Sequence, residues 1–217
     1  MKYLLRTVDK DRRAHGGFQW PEEGLVEAPD WNPEPVCGGG LHGALNGEGD
    51  GSLFEWGDDR LWQVVEVNAD EVVDLGGKVK VPRGWVIYTG SREEATKMIY
   101  DLCGMRAVIG GAATAGNRGT ATAGFNGTAT AGSYGTATAG YRGTATAGSY
   151  GTATAGDYGA IIIKFPYGDR IKLKVGHIGE DGLKPGVPYR LNADHEFEEA
   201  TFQPESPKSV WRNALGK

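Results

Sequence analysis

Long apolar runs are missing from this sequence. No stretch approaches the ~20 apolar residues that cross a bilayer as a helix, so a helical membrane protein is excluded and no membrane partner is expected. Cysteine is scarce: the chain has two, Cys37 and Cys103, without CxxC spacing. That excludes a disulfide mini-protein, and two free thiols are the simpler reading. A basic excess is missing as well. The net charge is −5, and no segment is basic enough to hold duplex phosphate by counterion release, so nucleic acid is not an expected partner. The opening MKYLLRTVDK has too short an apolar run for a secretory signal, which makes a cytoplasmic or virion-associated protein the expectation. GxSxG, P-loop and HExxH motifs do not occur. His15, His42, His177 and His195 lie at no metal spacing with one another or with the cysteines, so neither metal nor cofactor is expected.

Glycine is abundant, at 36 of 217 residues, more than twice the usual share. Six Trp and nine Tyr argue against a chain that is disordered throughout. Charge is uneven. Residues 1–104 hold 19 acids and 11 bases, whereas 105–158 hold one acid and three bases. Composition thus divides the chain into a mixed segment 1–104, a repeat 105–164, and a second mixed segment 165–217 ending in a polar tail.

The repeat is the strongest signal. From Gly111 the chain runs GAATAGNR, GTATAGFN, GTATAGSY, GTATAGYR, GTATAGSY, GTATAGDY. Each Thr-Ala-Thr-Ala core alternates with period two and reads as a strand. The flanking glycines and the variable pair read as a turn. Eight residues cannot close a coil around a core, but two octamers can. The variable pairs support this, because Ser133-Tyr134 recurs at Ser149-Tyr150, and Phe125 has its aromatic counterpart at Tyr141. Their period is sixteen. One sheet then holds Thr120, Thr122, Thr136, Thr138, Thr152 and Thr154. Rungs about 4.8 Å apart stack Phe125 under Tyr141 and Tyr134 under Tyr150.

Alanine inward gives a dry core. Threonine inward would bury hydroxyls, each needing a partner or costing about 1–3 kcal/mol, so alanine inward is favoured. An open sheet edge must be covered. Ile161–Ile163, followed by RIKLKVGHI and PYRL, reads as a C-terminal cap. Residues 105–109 read as a degenerate first rung. Ahead of them, Ser91 and Glu94 form a capping box for a helix ending at Gly104, with Ala95, Met98, Ile99 and Leu102 on its packed face. LWQVVEV at 61–67, KVKV at 78–81 and WVIYT at 85–89 are strands. The fold class is therefore mainly β with a small α/β N-terminal part. It is a short two-sheet β-solenoid of about three coils, with an N-terminal α+β cap and a C-terminal β cap.

The order GGFQ, GGGLHG, strand, helix, repeat and PYRLNADHEFEEA resembles a group of bacterial and phage proteins that place a repeat between two such domains. The group carries a second cysteine near the histidine where Ala44 stands here. The resemblance implies this architecture and a phage setting, and no particular activity. The repeats by themselves resemble those of ice-nucleation proteins, whose sixteen-residue coils carry Thr-x-Thr and a tyrosine ladder. The Ser-Leu-Thr half of that pattern is absent.

The leading functional reading is a non-enzymatic structural or binding module, phage-associated and self-assembling or bound to a protein partner. Its binding face is the threonine set above, and its stacking edges are Phe125/Tyr141 and Tyr134/Tyr150. An alternative is ordered-water or ice binding by the threonine rows, weak for so few rungs. A third reading takes Gly40, His42 and Gly43 as a ligand loop of a nucleotide-handling, ADP-ribosyltransferase-like enzyme, with Glu66 as its acid.

Overall fold

Alternation in KYLLRTV sends Leu4 and Val8 to one side of a strand and Leu5 to the other, and the fold buries both sides. This is β1 (Lys2–Val8), near the middle of an antiparallel seven-stranded sheet. The structure, a computed structural model, describes residues 1–104 and 106–200. The other strands of the sheet are β2 (Gly24–Glu27), β3 (Leu41–Leu45), β4 (Leu61–Val67), β5 (Val73–Asp74), β6 (Val79–Val81) and β7 (Arg83–Gly90). Their order is β2-β7-β4-β1-β3-β6-β5. One face packs Leu4, Val8, Trp20, Val26, Leu41, Val65 and Val86. The other packs Leu5, Ala44, Trp62 and Val64 against α1 (Arg92–Cys103). Ser91 Oγ accepts from Glu94 N–H as the capping box requires, and Gly104 ends the helix.

Two expectations are corrected here and a third is qualified. Leu102 is 44% exposed rather than packed; the buried face is Ala95, Thr96 and Ile99. GGGLHG is not simply a loop, because Leu41–Leu45 pairs with both β1 and β6. The segment 105–109 forms no strand among its described residues. Val108 does take a rung position, since its carbonyl accepts from Gly124 N–H at 2.9 Å. Val108 and Ile109 are fully buried under the helix instead of forming a sheet edge.

The octamers supply β8 (Ala112–Ala115), β9 (Thr120–Ala123), β10 (Thr128–Ala131), β11 (Thr136–Ala139), β12 (Thr144–Ala147) and β13 (Thr152–Ala155). Successive octamers alternate between two parallel sheets. Thr128 pairs with Thr144 in one sheet and Thr136 with Thr152 in the other, so the coil has sixteen residues. Alanine lines the interior: Ala121, Ala129, Ala137, Ala145 and Ala153 are fully buried. Rungs approach closely at the turns. A Cβ on Gly140 would sit 2.8 Å from the carbonyl carbon of Gly124, which explains glycine at a position where φ is not positive.

The cap widens the core. β14 (Ala160–Tyr167) continues the sheet of β12 across residues 164 and 165, with Ile161 and Ile163 over Ala145 and Ala147. β15 (Arg170–His177) folds back antiparallel on β14. On the second sheet β16 (Tyr189–Leu191) pairs with β13, and β17 (Phe197–Glu199) with β16. The larger side chains of Ile178, Leu183 and Tyr189 complete this end of the alanine core. The polar tail expected beyond residue 200 lies outside the described residues.

Candidate functional site

Alternation with alanine inward turns every repeat threonine outward. Thr120, Thr122, Thr136, Thr138, Thr152 and Thr154 stand in register on β9, β11 and β13. Thr120 is exposed and the others half-buried between their neighbours. The opposite sheet repeats the arrangement with Thr128/Thr130 and Thr144/Thr146. Threonines two apart along a strand are about 7 Å apart, and rungs about 4.8 Å.

The turns carry the aromatics. Phe125 stacks on Tyr141 at 4.9 Å and Tyr134 on Tyr150 at 5.1 Å. The two edges differ in what surrounds them. Phe125 also stacks on Trp56 at 5.7 Å, and Trp56 packs on Trp62 at 5.5 Å. The Phe125 end of that edge is therefore packed against the N-terminal domain, while at its other end Tyr158, edge-on to Tyr141 at 5.5 Å, is 75% exposed. The other edge is open, with Tyr134 58% and Tyr150 70% exposed.

Both tyrosines sit in the left-handed region, at φ 59° and 61°. So does the second residue of every variable pair, because its N–H must reach the turn above, as from Tyr134 to Ser149 O at 2.9 Å. A non-glycine residue there costs about 1–3 kcal/mol, and an aromatic stack returns about 0.5–1.5 kcal/mol. Tyrosine is thus not the residue that backbone stability would choose. Tyr150→Asn, which tolerates this φ, should change stability by about 1 kcal/mol at most. A loss several times larger in a thermal melt would show that the open ladder holds the coil together.

Gly40, His42 and Gly43 fall at a different site. His42 and Gly43 lie on β3, and Gly40 precedes it under the Trp31 ring. They line a cleft of about 770 Å³ with Arg6, Phe18, Trp20, Asp50, Phe54, Glu55 and Lys78. Burial pushes the His42 pKa down, and the charges of Lys78, Arg6 and Lys80 push it further. The exposed Cys37 thiol is lowered by a hydrogen bond from Lys78 Nζ at 3.2 Å, whereas burial raises the Cys103 thiol. Glu66 is not at this cleft; it pairs with Tyr3 at the far end of β1. Sequence reading missed Arg6 and Lys80. Each interrupts a valine- or leucine-rich strand, and Arg6 does so at the parity of Leu4 and Val8. Lys80 is fully buried and donates to Val36 O and Gly38 O at 2.9 and 3.0 Å.

The fold and its surface define a class: a repeat β-solenoid module with register-matched threonine faces and aromatic turn ladders. The chain is similar to ice nucleation proteins. It is 36% identical over 98 residues to ice nucleation protein InaU of Pantoea ananas, covering 44% of this chain and 10% of that one. It is 37% identical over 97 residues to an ice nucleation protein of Xanthomonas campestris pv. translucens, covering 44% and 6%. With InaA of Pantoea ananas the figures are 35% over 129 residues, 53% and 10%. The chain thus spans a tenth or less of the length of these relatives. No family model and no solved structure matches it.

Proposed function

We propose that this chain is a non-enzymatic binding module whose solenoid orders water, and in arrays binds ice, on its threonine rows. The carrying observation is the in-register outward placement of Thr120/Thr122, Thr136/Thr138 and Thr152/Thr154. Likeness to ice nucleation proteins over about half the chain supports it. One copy is a small surface, about 14 Å high at about 4.8 Å per rung. A single copy therefore acts weakly. The open Tyr134/Tyr150 ladder supports self-association as the means of extending the face, since a strip of exposed aromatics is a sticky edge. The same exposure supports a second reading, in which the ladder docks a protein partner. Resemblance of the flanking segments to phage proteins supports a phage or virion-associated setting.

Thermal hysteresis of the purified chain decides between the readings. The expected result is a small hysteresis that rises steeply with protein concentration. It should be abolished by Thr136→Leu with the circular dichroism spectrum unchanged, and lowered at high concentration by Tyr150→Asn. Hysteresis indifferent to Thr136→Leu would overturn the water-ordering reading and leave the tyrosine edge as the working surface.

A further inference from the structure

The cleft in the N-terminal sheet holds a charged group that the threonine faces do not use. The ladder between β1 and β3 stops at Leu5–Ala44, yet β1 stays paired with β4 as far as Val8, and β3 with β6 from Leu41. Two strand edges therefore face each other unpaired. Asn46 N–H donates to Tyr3 O. By the two-residue period of an antiparallel ladder, the N–H groups of Thr7 and His42 turn into this gap.

Arg6 fills part of the gap. Its guanidinium donates to His42 O at 3.1 Å and to Thr7 O at 3.4 Å, and lies 3.6 Å from the Trp20 ring. Arg6 is 8% exposed, and its Nε is buried without a partner. Burial pushes its pKa down to about 9, so at neutral pH it remains charged. No carboxylate among the described residues pairs with it. Of the cleft's acids, Glu55 is engaged by Arg60 at 2.8 Å, Asp50 caps Ser52 N–H, and Asp30 makes no ion pair with Arg6. Arg13, His15 and Lys78 also line the cleft, and His42 Nε2 is a second buried atom without a partner. A buried charge without a counter-ion is costly. Plugging the opened ladder satisfies two carbonyls, but it leaves the buried Nε without a partner and, by the period of the ladder, the two N–H groups facing the gap.

We propose that this gap binds the phosphate group of a small phosphate ester, held by the Arg6 guanidinium and the N–H groups of Thr7 and His42. Backbone N–H groups converging with a guanidinium suit a dianion with three free oxygens better than a carboxylate. The cleft, at about 770 Å³, is far larger than the anion, and Phe18, Trp20, Leu53 and Phe54 line it. An apolar or aromatic organic group on the ester fits that wall. Lys78 adds charge at the rim.

Phenyl phosphate titrated into the ¹⁵N-labelled full chain, at constant ionic strength, tests this. The expected result is saturable shifts of the Thr7 and His42 amides and of the Arg6 Nε–H. Inorganic phosphate should bind the same groups more weakly, and benzoate should bind more weakly still. Arg6→Gln should keep a dispersed spectrum and lose about ten-fold or more in affinity. If that variant unfolds, the wild-type titration carries the test, through the site-specific shifts of the Thr7 and His42 amides. Absence of saturable shifts at these groups, equal shifts with sodium chloride, benzoate as tight as phenyl phosphate, or unchanged affinity in folded Arg6→Gln would each overturn the proposal.

Discussion

Ala137→Leu should destabilise the protein by about 3 kcal/mol or more, the upper end of the usual range for overpacking. Ala137 is fully buried and in register with Ala121 below and Ala153 above, so the added carbons cannot move along the sheet without meeting the next rung. Nor can they move across it, since the opposing sheet presents the fully buried Ala129 and Ala145. At this chain length each kcal/mol lowers the melting temperature by about 2–4 °C. Thr136→Leu, on the outward face of the same strand, should stay within about 0.5 kcal/mol. A thermal melt in which Thr136→Leu is the more damaging would mean that threonine lines the core.

Deleting one octamer should do more harm than deleting two. Removal of residues 127–142 takes away β10 and β11 together. It brings β12 onto β8 and β13 onto β9, each in the sheet it already occupies. The chain loses one layer of buried alanines together with Tyr134 and Tyr141 of the turn stacks, but every remaining strand keeps a pairing in its own sheet, so it should fold with a lowered melting temperature. Removal of 127–134 alone moves every later strand to the other sheet. β11 would stack on β8 and β12 on β9, and everything beyond, the cap included, would be turned by half a coil against the N-terminal domain. The alternation of Phe125/Tyr141 with Tyr134/Tyr150 would be broken as well. The expected product melts below the two-octamer deletion. Equal melting of the two deletions would refute the two-octamer coil.

The solenoid was legible because its sequence is nearly pure pattern. Strict Thr-Ala alternation fixes the strand, the recurrence of Ser-Tyr fixes the coil at two octamers, and the cost of burying hydroxyls fixes the inward residue. Ile161–Ile163 marked the cap because larger apolar side chains replace alanine at the same register. The N-terminal sheet was legible only where apolar runs are dense, as in β4 and β7. β1 hides a core-parity arginine. β3 begins in a run of glycines that reads as loop, and its strand character comes from pairing on both sides, which is a tertiary property. Leu102 is misread for a related reason. Spacing on a helix defines a face but not its width: Ala95, Thr96 and Ile99 are buried and Met98 packs beside them, while Leu102 stays outside. Of the cleft, only Gly40, His42 and Gly43 stood out in the sequence. The cleft arises where one ladder ends early, and the distinctive residue, Arg6, is ordinary in sequence and unusual only in burial.

Alternation of octamers between two sheets also bears on how such a gene can change length. Near-identical tandem repeats invite slippage during replication, and slippage adds or removes copies singly. A chain that gains or loses one octamer turns its cap by half a coil against the N-terminal domain and breaks the alternation of its two turn edges, so selection should discard odd changes and keep even ones. Variants of this repeat found in nature should therefore differ from one another by pairs of octamers, and the variable residues should be inherited as pairs. The heritable unit is the coil, although the unit that is copied is half of it.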